Sequence, residues 1–297
     1  DVRVAAVNSL GGDRNRRAQT ELLTLANESS PIATSALLAL FDVVCGDLDS
    51  DLAGRRALRI GQLTLTGELD DRLSRAGAGD TGGIASLLVS VSHALAGRGE
   101  VSSVVSIGRS SPDGELASLL VSDFDSEGFA SVSLGALGQP PALASEWDYR
   151  LMVERGLQRA LIRRPALDVL HLRMADVGTL AAASVARRLG IRVVFTCAPD
   201  PHGPIAQRQA TGSITRDNFG TVDVEEHLWF RARMVERLAG QADHLVLFPR
   251  SDISDVIERV MGVDREFLDR RSTIAAEGIN LASIDTAVAE TSPAPVM

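Results

Sequence analysis

The stretch ALRIGQLTLTGELDDRLSRAGAGDTGGIASLLVSVSHAL, residues 57–95, decides the fold. Residues 58–66 are rich in Leu, Ile and Thr, and Leu63 and Leu65 alternate with polar neighbours, which is a strand pattern. A polar segment follows and ends in Asp80-Thr81-Gly82-Gly83. Ile84, Leu87, Leu88, Val91 and Leu95 then recur at helical spacing. The unit is strand, glycine loop, helix. Two glycines at a helix start let backbone N–H groups approach a ligand, and the unpaired donors plus the helix dipole favour an anion there, such as a diphosphate or a sugar phosphate. The same residues also suit a plain helix entry with Asp80 or Thr81 as N-cap.

Outward from this unit, the pattern repeats. Residues 101–107 and 191–196 read as strands, with shorter strand-like runs at 116–122, 130–134, 169–172, 243–248 and 272–276. Helical spacing is found at 147–162, where Leu151, Val153, Leu157 and Leu161 are apolar, and at 178–189, 224–239 and 251–260. Gly190 is placed to stop the helix before it. Residues 135–141 are turn-rich. Residues 197–218, with Pro199, Pro201 and Pro204, read as a long irregular loop. Alternating strands and helices at this spacing predict an α/β fold, a Rossmann-like doubly wound parallel sheet.

On the other side, residues 2–7 read as a short strand, and 18–26 and 34–44 as helices. The expected division is a helical extension and Asp-rich linker at 1–56, one Rossmann-like domain at 57–285, and a flexible tail or the start of a crossover at 286–297. The chain starts at Asp1 rather than at a methionine, so it is expected to be processed or cut from something longer.

Composition narrows the function. The chain has 297 residues, 45% apolar and 23% charged, and nothing approaches 18 uninterrupted apolar residues, so a cytoplasmic protein without an integral membrane segment is expected. A net charge of −9 argues against nucleic acid as a partner. Cys45 and Cys197 stand far apart and read as small core residues rather than a disulfide or metal site. Every basic residue is an arginine, so any phosphate clamp must use Arg forks or backbone amides.

In an open parallel sheet ligands collect at the carboxyl ends of the strands. The loops that qualify lie at 79–83, 109–114, 173–178, 197–203 and 249–252, and they offer Asp80, Arg109, Arg173, Asp176, Asp200, His202 and Arg250. Arg109 and Arg250 also read as solvated surface arginines, Asp176 as an N-cap before Gly178, His202 as an exposed loop histidine, and His171 as a hydrogen-bonded core histidine.

With these segments in place, residues 57–284 resemble, in order, the retaining glycosyltransferases of the sucrose-phosphate synthase and sucrose synthase type. LDVLHLRMADVG at 167–178 is similar to that family's strand and Ala-Asp-Ala-Gly loop. IRVVFTCAPDPHG at 191–203 is similar to its strand ending in Thr-Gly-His-Ser. RARMVERLAGQADHLVLFPRSDI at 231–253 resembles its helix and strand before a Ser-Thr-Arg run, and STIAAEGINLASID at 272–285 its Pro-Pro-Gly-Ile-Asp strand. The resemblance implies the N-terminal half of a GT-B fold. Gly82 and Gly83 would approach the nucleotide-sugar donor, for example UDP-glucose as co-substrate. Arg109, Arg173, Asp176 and Arg250 would serve a hydroxyl acceptor that carries phosphate. Backbone amides and arginines, with no metal and no cofactor, would stabilise the leaving diphosphate.

The chain departs from the family at four positions. The family histidine that contacts the donor sugar falls at Ala198, the following serine at Pro199, and a loop histidine at Arg173; Asn280 stands in place of an aspartate. His202, four residues on from Ala198, is then the candidate catalytic residue. The family's second Rossmann-like domain, with its Arg/Lys pair and two glutamates, has no counterpart here, so a C-terminal donor domain in a longer chain is the expected partner. Two other functions compete: a non-catalytic binding or scaffolding domain that keeps the fold, and a nucleotide-dependent oxidoreductase or flavodoxin-like protein, which the missing G-x-G-x-x-G disfavours.

Overall fold

The computed structural model describes residues 2–12, 16–45, 57–65, 69, 82–109, 127–132, 147, 150–162, 167–197, 200–250 and 253–276. Seven strands form one parallel sheet: β1 (Leu58–Leu63), β2 (Val101–Arg109), β3 (Glu127–Val132), β4 (Val169–Leu172), β5 (Arg192–Thr196), β6 (His244–Leu247) and β7 (Ser272–Ile274). Their order is β3-β2-β1-β4-β5-β6-β7. From β1 the chain winds outward in one direction to β3, returns, and winds outward in the other to β7. The order therefore reverses between β1 and β4, which is where such sheets open a crevice.

Strand alternation assigns the two faces. Leu63, Ile107, Leu170, Leu172, Phe195, Leu245 and Leu247 are buried in the main core with α5 (Arg150–Ile162), α6 (Val177–Arg188) and α9 (Leu228–Gln241). The central helix α6 buries Leu180, Ala181, Ala182, Ala183, Val185 and Ala186; its small side chains let α5, α9 and the sheet all pack closely around it. On the opposite face α4 (Gly82–Ala96) covers β1 and β2. Here the interface is polar: Gln62 donates to Ser92 Oγ at 2.7 Å, and the Ser92 and Ser106 hydroxyls pair at 2.7 Å.

Two aspartates placed just before strands fix the sheet's amino edge. The Asp168 carboxylate accepts from the Arg59 N–H at 2.7 Å, and the Asp243 carboxylate accepts from the Val193 N–H at 2.8 Å. Each ties the start of its own strand to a neighbour and so sets the parallel register.

The predicted helices at 18–26 and 34–44 are α2 (Arg16–Ala26) and α3 (Ala33–Cys45). Residues 2–7 are not a strand; they belong to α1 (Val2–Leu10). Valine-rich composition favours a strand only where a sheet edge is available, and here Val7 packs with Leu22, Ile32, Ala36 and Ala39 in a small helical core. A Cβ on Gly11 would sit 3.0 Å from the Ala39 backbone, so α1 and α3 approach as closely as they do only with glycine there. This helical unit is fastened to α5 by a buried ion pair, in which Arg159 forks onto both oxygens of Asp42 at 2.6 and 2.7 Å and Arg155 adds a contact at 3.5 Å.

Other departures follow local chemistry. The expected loop at 197–218 contains α7 (His202–Ala210). Pro204 lies in its first turn, where an absent N–H costs no helical bond. The expected helix at 224–239 is two helices, α8 (Phe219–Glu226) and α9, broken at His227, which holds a left-handed φ of 51°. The predicted helix at 251–260 is α10 (Ile253–Met261), and α11 (Arg265–Arg271), absent from the sequence reading, starts at an Asp264 cap that accepts from the Phe267 N–H at 3.0 Å. On α4 the buried residues are Ala85, Leu88, Val89 and Ser92, a stripe rotated from the expected one. The expected runs at 116–122 and 135–141 lie outside the described residues, as do Asp80, Thr81, Ala198, Pro199 and Asn280; Cys197 is buried as expected.

Removing one partner of a buried ion pair leaves a charge without compensation. Asp42→Ala is therefore expected to lower unfolding stability by about 3–5 kcal/mol, measured by urea titration. The apolar double replacement Asp42→Leu with Arg159→Met is expected to recover most of the loss; a single variant within experimental error of the parent would show the fastening is superficial.

Candidate functional site

A cavity of about 470 Å³ opens at the carboxyl edge of the sheet, next to the reversal point between β1 and β4. Residues following four strands line it: Gly83 after β1, Arg173 and Met174 after β4, Cys197 and Asp200 after β5, and Phe248, Pro249 and Arg250 after β6. Ile84 and Leu87, expected on the buried stripe of α4, turn toward this cavity instead. The floor is thus apolar and the polar groups are few. A Cβ on Gly83 would meet no atom of the described residues within 4 Å. Packing does not demand glycine there, and the space beside the helix start is the cavity itself.

Of the seven residues expected at the site, the cavity collects Gly83, Arg173 and Arg250, and Gly82 opens the helix on whose first turn Gly83 lies. Arg109 ends β2 and is not among the lining residues; one of its guanidinium nitrogens is buried without a hydrogen-bond partner among the described residues. Asp176 is the N-cap of α6, its Oδ1 accepting from the Thr179 N–H at 2.6 Å. Burial pushes its carboxyl up, against the opposing pull of the backbone donors of Thr179 and Gly178. It fastens the loop that carries Arg173 rather than lining the cavity.

His202 stands off the cavity, at the first turn of α7. Its Nδ1 donates to Asp200 Oδ1 at 2.7 Å, and its Nε2 lies 3.3 Å from Glu236 Oε1 on α9. The hydrogen bond and charge of Asp200, helped by Glu236, raise the imidazole above its ordinary value against partial burial. Both ring nitrogens are engaged, so His202 acts as a strap between α7 and α9. Asp200 was legible in sequence only as one polar residue among several; the Asp-x-His spacing that lets it accept from both the His202 N–H and ring was its signal.

Two further groups have settled states. Burial pushes the Cys197 thiol up to about 12, aided by the charge of Asp200, which keeps it protonated and unreactive at neutral pH. His171 pairs with the Thr196 hydroxyl at 2.7 Å, and burial, with the Arg173 charge beside it, lowers it to about 4. It is the neutral core histidine the sequence suggested.

That neutrality has a pH signature. The unfolded chain takes up a proton at His171 near the ordinary value of 6.5, and the folded chain only near 4. In that window the unfolded state binds more protons, so stability falls as pH drops from about 6.5 to about 4 and the loss is complete below it. His171→Gln, which keeps a partner for Thr196, is expected to flatten this part of the profile by up to about 3 kcal/mol, read from urea unfolding at stepped pH. An unchanged slope would place the titration elsewhere.

No described helix is long and apolar enough to cross a membrane, and no cluster of metal-ligating side chains is found among the described residues. No protein-family model matches the sequence, and no curated protein matches it. Among solved structures, a UDP-GlcNAc 2-epimerase from Methanocaldococcus jannaschii is similar over 73% of this chain and 45% of its own, at 12% identity and a TM-score of 0.38. Os79 from O. sativa, solved in complex with UDP, is similar over 77% of this chain and 54% of its own, at 12% identity and a TM-score of 0.44. The chain spans about half the length of these structures.

Proposed function

We propose that the chain is the N-terminal, acceptor-side Rossmann-like domain of a GT-B glycosyltransferase, and that it works with a C-terminal donor domain. The observation that carries this reading is the cavity at the sheet's reversal point, where Gly83, Arg173 and Arg250 converge from three different loops. An open helix start and two guanidinium groups form an arrangement suited to phosphate oxygens: the backbone donors of the first α4 turn point along the helix axis, and arginine forks supply charge and direction. In the reaction, the bond from the sugar C1 to the β-phosphate oxygen of a nucleotide-sugar such as UDP-glucose would break and one from C1 to the acceptor oxygen would form with retention of configuration, UDP leaving and the acceptor's hydroxyl proton passing to the departing phosphate oxygen. Arg173, Arg250 and the α4 amides would neutralise charge on phosphate in the transition state. Cys197, Met174 and Phe248 would exclude water from the apolar side.

A second reading is favoured by a specific observation. Both ring nitrogens of His202 are held by carboxylates, and the donor-contacting histidine of the resembled family is replaced by Ala198. A domain that binds a phosphorylated sugar without transferring it would have this character.

The test is thermal unfolding of the chain with UDP-glucose, UDP, glucose 6-phosphate and inorganic phosphate. A ligand at about 100 times its dissociation constant adds roughly 2.7 kcal/mol. Arg173→Gln and Arg250→Gln are each expected to weaken phosphate-bearing ligands by roughly tenfold to a hundredfold. Absence of any shift would overturn the phosphate reading. Formation of a retained glycoside from UDP-glucose and a sugar acceptor, in the presence of a donor domain, would decide for transfer over binding alone.

A further inference from the structure

Residues 202–226, the α7–α8 hairpin, are built unlike the helices that pack on the sheet. Neither helix buries a residue, and Ile214 in the turn between them, though buried, belongs to none of the three apolar clusters of the described residues. Polar chemistry holds the hairpin together instead. Arg208 forks onto both oxygens of Glu226 at 2.7 and 3.0 Å and so ties α7 to α8. In the turn, Asn218 Oδ1 accepts from the Thr215 N–H at 2.6 Å and the Thr215 hydroxyl accepts from the Asn218 N–H at 3.2 Å. A segment with internal bonds and little apolar burial opens as a unit at low cost.

The hairpin is attached at two ends. At the far end His227, with φ 51° and ψ 41°, is the one left-handed residue between α8 and α9, and Asp223 Oδ1 reaches across the break to accept from the Trp229 N–H at 2.8 Å. A single non-helical residue between two helices is placed to act as a hinge. At the near end the His202 ring lies between Asp200 Oδ1, 2.7 Å from Nδ1, and Glu236 Oε1, 3.3 Å from Nε2. Imidazole has two N–H donors only when protonated, so only the charged ring satisfies both carboxylates. A neutral ring that keeps the shorter bond to Asp200 turns the Nε2 lone pair on Glu236, and the tie to α9 is lost. The groups facing the ring are Asp200 from the loop before α7 and Glu236 from α9, whose other oxygen accepts from Arg233; Arg250 after β6 and the Cys197 thiol at the end of β5 lie on the far side of Asp200. This end also borders the cavity. Asp200 and Arg250 line it, and Arg250 Nη1 lies 3.8 Å from where a Cβ on Gly203, in the first turn of α7, would sit.

We propose that the α7–α8 hairpin is a flap at the rim of the cavity, hinged at His227 and latched to α9 by the doubly protonated His202, and that loss of one imidazole proton releases it. The flap governs access to the cavity whatever ligand enters; only its bearing on phosphate binding rests on the function proposed above. The latched state holds a proton that the released state gives up. Closure is therefore complete below the ordinary histidine value of 6.5 and is lost as pH rises through the higher value that Asp200 and Glu236 impose on the latched ring.

The experiment is amide hydrogen exchange of the full chain without ligand, followed by mass spectrometry at about pH 6 and about pH 9 with exchange times scaled for the intrinsic rate. Peptides from residues 202–226 are expected to lose protection severalfold at the higher pH while those from α6 do not. His202→Gln carries no titrating group, and its hairpin is expected to be weakly protected to the same degree at both pH values. Glu236→Gln gives a readout that a merely structural role would not: its amide N–H can donate to the neutral ring while Arg233 holds the amide oxygen. Its hairpin is therefore expected to stay protected at the higher pH, where that of the parent opens. The proposal is overturned if the parent hairpin keeps its protection or loses it only in step with α6. It is equally overturned if His202→Gln retains the pH response, or if Glu236→Gln opens with pH as the parent does. With no ligand present, none of these outcomes touches the phosphate reading, which stands or falls by its own titration.

Discussion

Parallel pairing of β1 with both β2 and β4 is the constraint on which the rest of the molecule depends. In register, Ile60 to Leu63 face Val104 to Ile107 on one side and Val169 to Leu172 on the other. Because every strand runs the same way, every loop that follows a strand must leave from one edge. Because the winding reverses at β1, the helices that follow β1 and β4 lie on opposite faces and leave a gap between them. The cavity, with its Gly83 and Arg173, is a consequence of that geometry before it is a consequence of any particular side chain. The aspartate ties at Asp168 and Asp243 act at the far edge, and through register they determine where Arg173, Cys197 and Arg250 emerge.

The buried interactions divide the labour between the two faces. The face under α5, α6 and α9 is apolar throughout and supplies most of the cohesion through burial of Leu, Val and Ala side chains. The α4 face is specified by polar contacts instead: the chain Gln62, Ser92, Ser106 requires α4 to sit at one rotation over β1 and β2. That rotation is what turns Ile84 and Leu87 away from the strands and into the cavity. A purely apolar α4 could have rolled, and the glycine turn would have rolled with it.

Much of this arrangement was legible in the chain itself, for identifiable reasons. Residues 101–107, 169–172 and 191–196 are short apolar runs bounded by turn residues, and a parallel sheet buried on both faces requires such runs, so their location carried over to the structure. The glycine turn before α4 and the arginines after β4 and β6 could be placed together because topology alone brings those loops to one edge. What escaped were features decided by context. Residues 2–7 have strand-like composition but no strand to pair with, and packing on α3 made them helical. The prolines of residues 199–204 hid α7 because a proline in a first turn is harmless while one in an interior is not. His227 breaks a periodic stretch by adopting a left-handed backbone that no local signal demands. The role of His202 depended on Glu236, thirty-four residues away and on another helix.

The electrostatics of the cavity make sense only at short range. The whole chain carries a net charge of −9, which would repel an anionic ligand at a distance. At physiological ionic strength that repulsion is screened beyond about 8 Å, so among the described residues Arg173, Arg250 and Asp200 set the side-chain charge that a ligand meets inside. With no lysine in the chain, the positive groups there are planar forks rather than mobile point charges. A fork recognises the direction of an oxygen pair as well as its charge. The acidic surface and the arginine-lined cavity are thus compatible: the repulsion of the net charge is screened within a short distance, and inside, the Arg173 and Arg250 forks act on an anion directly.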